Sequence, residues 1–125
     1  MIERLALMLC LAMPVPVLAA GQAESVCELI ASLAPDWLES HEAGKTLDEI
    51  SDEAMAAFDR AGLTEDTDHG VTLRTAAKVS LIGLAQNDPA NPADAAKIAK
   101  DTCATWYRSR GRSSYQIPDR PLLWD

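Results

Sequence analysis

The stretch VTLRTAAKVSLIGLAQ, residues 71–86, decides how this chain folds. Between residues 76 and 85 only Lys78, Ser80 and Gly83 interrupt a run of Ala, Val, Leu and Ile. A helix written over that run is apolar around most of its circumference. A surface helix keeps a broad polar face, so one that lacks it must be covered by neighbours on several sides. This segment is expected to be the central helix of a bundle, and the flanking sequence must supply the helices that cover it.

Working upstream, TEDTDHG (64–70) reads as a loop or a frayed helix start, and KTLDEISDEAMAAFDRAGL (45–63) as an amphipathic helix. Thr46 and Glu49 form a T-x-x-E capping box, which satisfies backbone N–H groups at a helix start. Leu47, Ile50, Ala54, Ala57, Phe58 and Ala61 follow at helical spacing, and Gly62 with Leu63 fits a left-handed C-cap. Further upstream, ESVCELIASLAPDWLESHEAG (24–44) places Val26, Ile30, Leu33 and Trp37 on one stripe beside Cys27, Ala34 and Leu38. Pro35 is expected to kink or end that helix, because its ring collides with the carbonyl four residues back. A restart is expected there, with Pro35 in its first turn and Asp36 and Glu39 complementing the dipole. Downstream, NDPANP (87–92) breaks the central helix, and Asn91, Pro92 and Asp94 start another. Its inner stripe is Ala95, Ile98, Ala99, Thr102, Cys103 and Trp106. No strand-like alternation and no internal repeat is found. The expected fold is all-α: a compact bundle of about four helices over residues 24–107, followed by an irregular, basic, Pro-containing tail at 108–125.

The first 23 residues read as a secretory signal. Arg4 precedes a sixteen-residue apolar run over 5–20 that contains Pro14 and Pro16, and small residues then offer cleavage between 19 and 23. The run is too short to span a bilayer comfortably. Export to the periplasm or beyond is the expected localisation, with no stable membrane span once the signal is removed. Cleavage leaves 102 to 106 residues, enough for one domain with a modest core.

Export also changes the cysteine arithmetic. Loss of Cys10 with the signal leaves Cys27 and Cys103, on the inner faces of the first and last helices, in a compartment that permits oxidation. A bond between them closes a loop of about 77 residues, which the chain-entropy account values at roughly 4.5 kcal/mol as an upper figure. No C-x-x-C pair is present to support a redox role.

Charge is divided unevenly. Residues 24–70 hold thirteen acidic and two basic side chains, a net of −11; residues 71–125 hold five and eight, a net of +3; Glu3 and Arg4 cancel, giving the chain's −8. Halves of opposite sign favour internal attraction or a dipolar surface, and the acidic balance argues against nucleic acid. The basic residues concentrate in YRSRGR (107–112), where Arg108, Arg110 and Arg112 follow the last helix. They are expected to lie over the acidic 46–62 helix and orient the tail, while Leu123 and Trp124 anchor its end in an apolar groove. The competing expectation is a tail that docks on another envelope component, with Arg108, Arg110, Arg112, Tyr115, Leu123 and Trp124 as candidate partner contacts.

Catalytic and metal signatures are sparse. Glu65, Asp66, Asp68 and His69 lack the ligand spacing of an EF-hand loop. His41-Glu42 is not H-E-x-x-H, because Lys45 stands where the second histidine belongs. There is no G-x-S-x-G and no phosphate-cradling glycine loop. No enzyme activity, cofactor or metal is expected from these residues.

The layout of VCELIASL (26–33) with its helix cysteine, an apolar helix ending GLAQNDP (83–89), and an Ala-rich helix closing KIAKDTC (97–103) resembles small two-cysteine periplasmic helical proteins. It looks most like the type VI secretion amidase-immunity families. That resemblance implies a binding or inhibitory module without catalysis. A structural envelope protein or a stress-chaperone-like protein is the alternative.

Overall fold

The computed structural model describes residues 15–109 and 118–124 and contains four helices: α1 (Val15–Glu42), α2 (Leu47–Arg60), α3 (Asp68–Asn87) and α4 (Pro92–Ser109). No strand occurs among the described residues. The all-α bundle expected from the sequence is therefore the fold.

The central position of α3 follows from its composition. Ten of its residues are buried, Ser80 and Gly83 among them, and it packs against all three other helices. The α4 helix packs most extensively on α1 and next on α3, whereas α2 rests on α3 and touches α1 least. Gly83 sets the approach of α3 to α4: a Cβ there would lie 2.6 Å from the Thr102 hydroxyl. Ala95 and Ala99 of α4 are both buried, and the Ser80 hydroxyl reaches the Ala99 carbonyl at 3.4 Å.

Helix ends are set by their own sequence. Thr46 caps α2 with the reciprocal box: its hydroxyl accepts from the Glu49 N–H at 3.1 Å, and Glu49 Oε1 accepts from the Thr46 N–H at 3.0 Å. Gly62, at φ +79°, ends α2, and the Leu63 N–H reaches back to the Phe58 carbonyl at 2.8 Å. Gly44, at φ +97°, ends α1 in the same way, with the Lys45 N–H on the Ser40 carbonyl at 3.1 Å. The α3 helix begins earlier than the apolar pattern suggests, because Thr67 caps it: its hydroxyl accepts from the Gly70 N–H at 2.9 Å. Asn91 starts α4 by accepting from the Asp94 N–H at 2.8 Å.

Pro35 neither ends α1 nor restarts it; the helix is continuous from Val15 to Glu42. An interior proline costs about 3 kcal/mol. Ala34, Trp37 and Leu38 lie on both sides of it and are all buried. Burying two large side chains beyond the proline, at about 1.5–3 kcal/mol each, offsets that cost and keeps the helix in register. The helix also starts within the expected signal segment. Among the residues whose burial is described, Val26 is the first core residue of this helix.

Cys27 and Cys103 form a disulfide between α1 and α4, with Cα atoms 5.5 Å apart and a sequence separation of 76. Both are buried. One residue along from Cys27, Glu28 accepts from Lys100 at 3.2 Å, adding a charge pair to the same helix contact. Arg74 of α3 bridges to Asp59 and approaches Glu65 at 3.9 Å. Its guanidinium also reaches the Met55 carbonyl at 3.4 Å, near the C-terminal end of α2. These pairs join the acidic first half of the chain to its basic second half, which is the internal attraction that the charge division suggested.

A candidate binding groove between the first two helices

Two helical stripes face each other where α2 crosses α1. On α1 they are Leu33, Asp36, Trp37 and Ser40; on α2 they are Ile50, Glu53, Ala54, Ala57 and Phe58. The spacings i, i+3, i+4 and i+7 put each set on one helix face. Because α1 and α2 pack lightly together, the stripes leave an open trough of about 200 Å³ between them.

Its floor is apolar and firmly held. Ile50, Trp37, Ala54 and Phe58 belong to the buried core, Leu33 packs partly buried against that core, and Ala57 is exposed at the edge. Its rim is acidic: Asp36 stands exposed on one wall and Glu53 on the other. Lys45, in the turn between the two helices, donates to Glu53 Oε1 at 2.6 Å. Asp36 has no such partner among the described residues. An apolar floor between two carboxylate-bearing walls suits a side chain or short segment that is apolar at its tip and cationic beside it.

A second cleft, of about 210 Å³, lies between α3 and α4 and is roofed by Pro118 and Arg120. It is more polar, being lined by Gln86, Asn87, Asp101 and Thr105. The Gln86 amide donates to the Pro118 carbonyl at 2.7 Å, so part of that lining already holds the chain's own C-terminal segment in place.

The residues singled out in the sequence are distributed differently from the expectation. Trp124 turns inward: it is 2 % exposed and stacks on His41, with ring centroids 4.3 Å apart and planes 8° from parallel. Leu123 does not share that site. Its side chain is 58 % exposed, and only its N–H is used, donating to the Ala85 carbonyl at 2.6 Å. Leu122 is likewise exposed. Arg108 is exposed and donates to the Thr105 hydroxyl of its own helix at 3.4 Å, rather than reaching α2. Arg110, Arg112 and Tyr115 lie outside the described residues.

Sequence reading recognised the groove residues as helix faces but not as a groove. Leu33, Ile50, Ala57 and Phe58 carry the ordinary pattern of core positions, and nothing in that pattern states that α1 and α2 stay apart. His41 and Asp88 were also missed as tail partners, since neither lies near Trp124 in sequence.

Among the described residues, no group of three or more His, Cys, Asp or Glu is placed to hold a metal ion. No described helix is long and apolar enough to cross a membrane. Comparison of the chain with protein families, with curated proteins and with solved structures finds no match.

Proposed function

We propose that this chain is an exported protein-binding module, inhibitory in type and without catalysis of its own, that receives a partner in the α1–α2 groove. The observation that carries the reading is the open apolar trough between Trp37 and Phe58, set in a scaffold whose first and last helices are covalently tied. A binding surface works best when little ordering is left to do on association, and a disulfide-tied bundle limits that ordering. Export is supported by the signal-like first 23 residues and by a cysteine pair suited to an oxidising compartment. The resemblance to periplasmic immunity-type proteins points to the same class.

Site-specific photo-crosslinking in the native host tests this. A crosslinking side chain at Ala57, on the edge of the groove, is expected to capture one stoichiometric envelope partner. The same probe at Lys97, exposed on α4, is expected to capture none. Many weak adducts from Ala57 would favour a chaperone. Equal yields from both positions, or turnover of an envelope substrate by the purified protein, would overturn the proposal.

A further inference from the structure

We infer that the segment received by the α1–α2 groove is cationic and carries one large aliphatic or aromatic anchor; this rests on the docking reading above and names the partner's chemistry. The groove volume of about 200 Å³ is on the scale of one leucine- to phenylalanine-sized side chain, and its floor of Trp37, Ile50 and Phe58 offers that side chain an apolar bed. The sign of the flanking charge comes from the walls. Asp36 and Glu53 face the trough from opposite helices, within a half of the chain that carries a net −11 (thirteen acidic against two basic side chains over residues 24–70).

The protein contains an internal example of what the rim accepts. The Lys45 ammonium already sits 2.6 Å from Glu53 at one wall, while Asp36 on the other has no cation beside it among the described residues. A bound segment with a Lys or Arg next to its anchor would place a cation beside Asp36. An acidic segment would be repelled by Asp36 and by the acidic helices around the trough. Selection against wrong partners would therefore come from charge, and residence from the anchor. A helix or extended loop laid across the trough can present that one anchor with a cationic residue beside it.

The test titrates the full chain with three synthetic peptides of about twelve residues, followed by ¹H–¹⁵N chemical shifts. One contains Lys residues around a central Phe; the second replaces every Lys with Glu; the third keeps the Lys residues and replaces Phe with Ala. The first is expected to shift the amides of Leu33 and Ala57 and the Trp37 indole, and to weaken several-fold between low and physiological salt. The second is expected to show no binding, and the third to bind at least tenfold more weakly than the first. Asp36→Asn combined with Glu53→Gln should weaken the first peptide five- to tenfold and flatten its salt dependence, at an unchanged melting temperature. Comparable binding of the Glu peptide, insensitivity to the rim variants, or shifts confined to α4 would overturn the inference. So would a dimer whose contacts fall on the groove, because a second copy would then be its occupant. A neutral or acidic partner segment crosslinked at Ala57 would refute the cationic chemistry and leave the docking reading intact, whereas absence of any crosslink there removes the docking reading itself.

Discussion

The indole N–H of Trp124 donates to the Asp88 carboxylate at 3.1 Å, joining the end of the described chain to the residue that ends α3. Asp88 is left-handed, at φ 46°, and is followed by Pro89. Pro89 has no N–H, so the Ala85 carbonyl four residues before it loses its helical donor. The Leu123 N–H fills that vacancy at 2.6 Å. The helix stop and the tail attachment are thus one arrangement: the proline that ends α3 leaves the acceptor that the tail occupies.

This attachment predicts that Trp124→Ala lowers thermal stability more than Arg108→Gln. Removing a buried tryptophan costs at most about 3–5 kcal/mol. Arg108 is exposed and, among the described residues, bonds within its own helix, so its replacement should cost less than about 1 kcal/mol. Trp124→Phe should fall between, by roughly 1 kcal/mol for the lost hydrogen bond to Asp88. Differential scanning calorimetry ranks the three variants. Equal melting temperatures for wild type and Trp124→Ala would show that the tail contributes nothing to the fold.

The disulfide gives a second prediction. Cys27 and Cys103 join α1 to α4 across 76 positions, so the bond constrains most of the unfolded chain. Reduction, or replacement of both cysteines by serine, should lower stability by about 2–4 kcal/mol. For a domain of this size that is a fall in melting temperature on the order of 10–20 °C. Thiol counting under denaturing conditions should find no free thiol at either position before reduction. Two alkylatable thiols in protein isolated without reductant would contradict it.

Glu49 gives the third. The hydrogen bonds from the Thr46 backbone N–H and from the Thr46 side chain, with Lys45 as a lesser cause, hold its carboxyl below the usual glutamate range. Its folded-state value lies below its unfolded one, so the stability it contributes is present above the ordinary carboxylate range. That contribution is lost as pH falls through the lowered value. Carbon-detected titration should show Glu49 ionising below the ordinary glutamate range, and Glu49→Gln should make α2 less stable near neutral pH with a smaller difference in acid. Titration of Glu49 within the ordinary glutamate range would refute the capping account.

Much of the fold was legible because helices are specified locally. The apolar circumference of residues 76–85 placed α3 at the centre, and T-x-x-E at Thr46 fixed the start of α2. The inner-face positions of Cys27 and Cys103 matched the bond that forms between them. Each of these signals depends on residues within a turn or two of one another, where spacing alone sets which side chains share a face. Pro35 shows the limit of such local reading: a residue that breaks helices in isolation is tolerated because Trp37 and Leu38 beyond it are buried by helices distant in sequence.

What only the tertiary structure decided is how those faces meet. The sequence by itself determined that Ile50 and Phe58 face inward; whether α2 seals against α1 or stands off from it depends on how both settle on α3. That separation is the groove. Likewise the sequence placed a tryptophan near the end of the chain, but its partners His41 and Asp88 come from two different helix ends that only the packed bundle brings together. Periodicity reports the direction of a side chain relative to its own helix axis. The distance between two axes is set by the side chains of every helix at once, and no single stretch of the chain contains it.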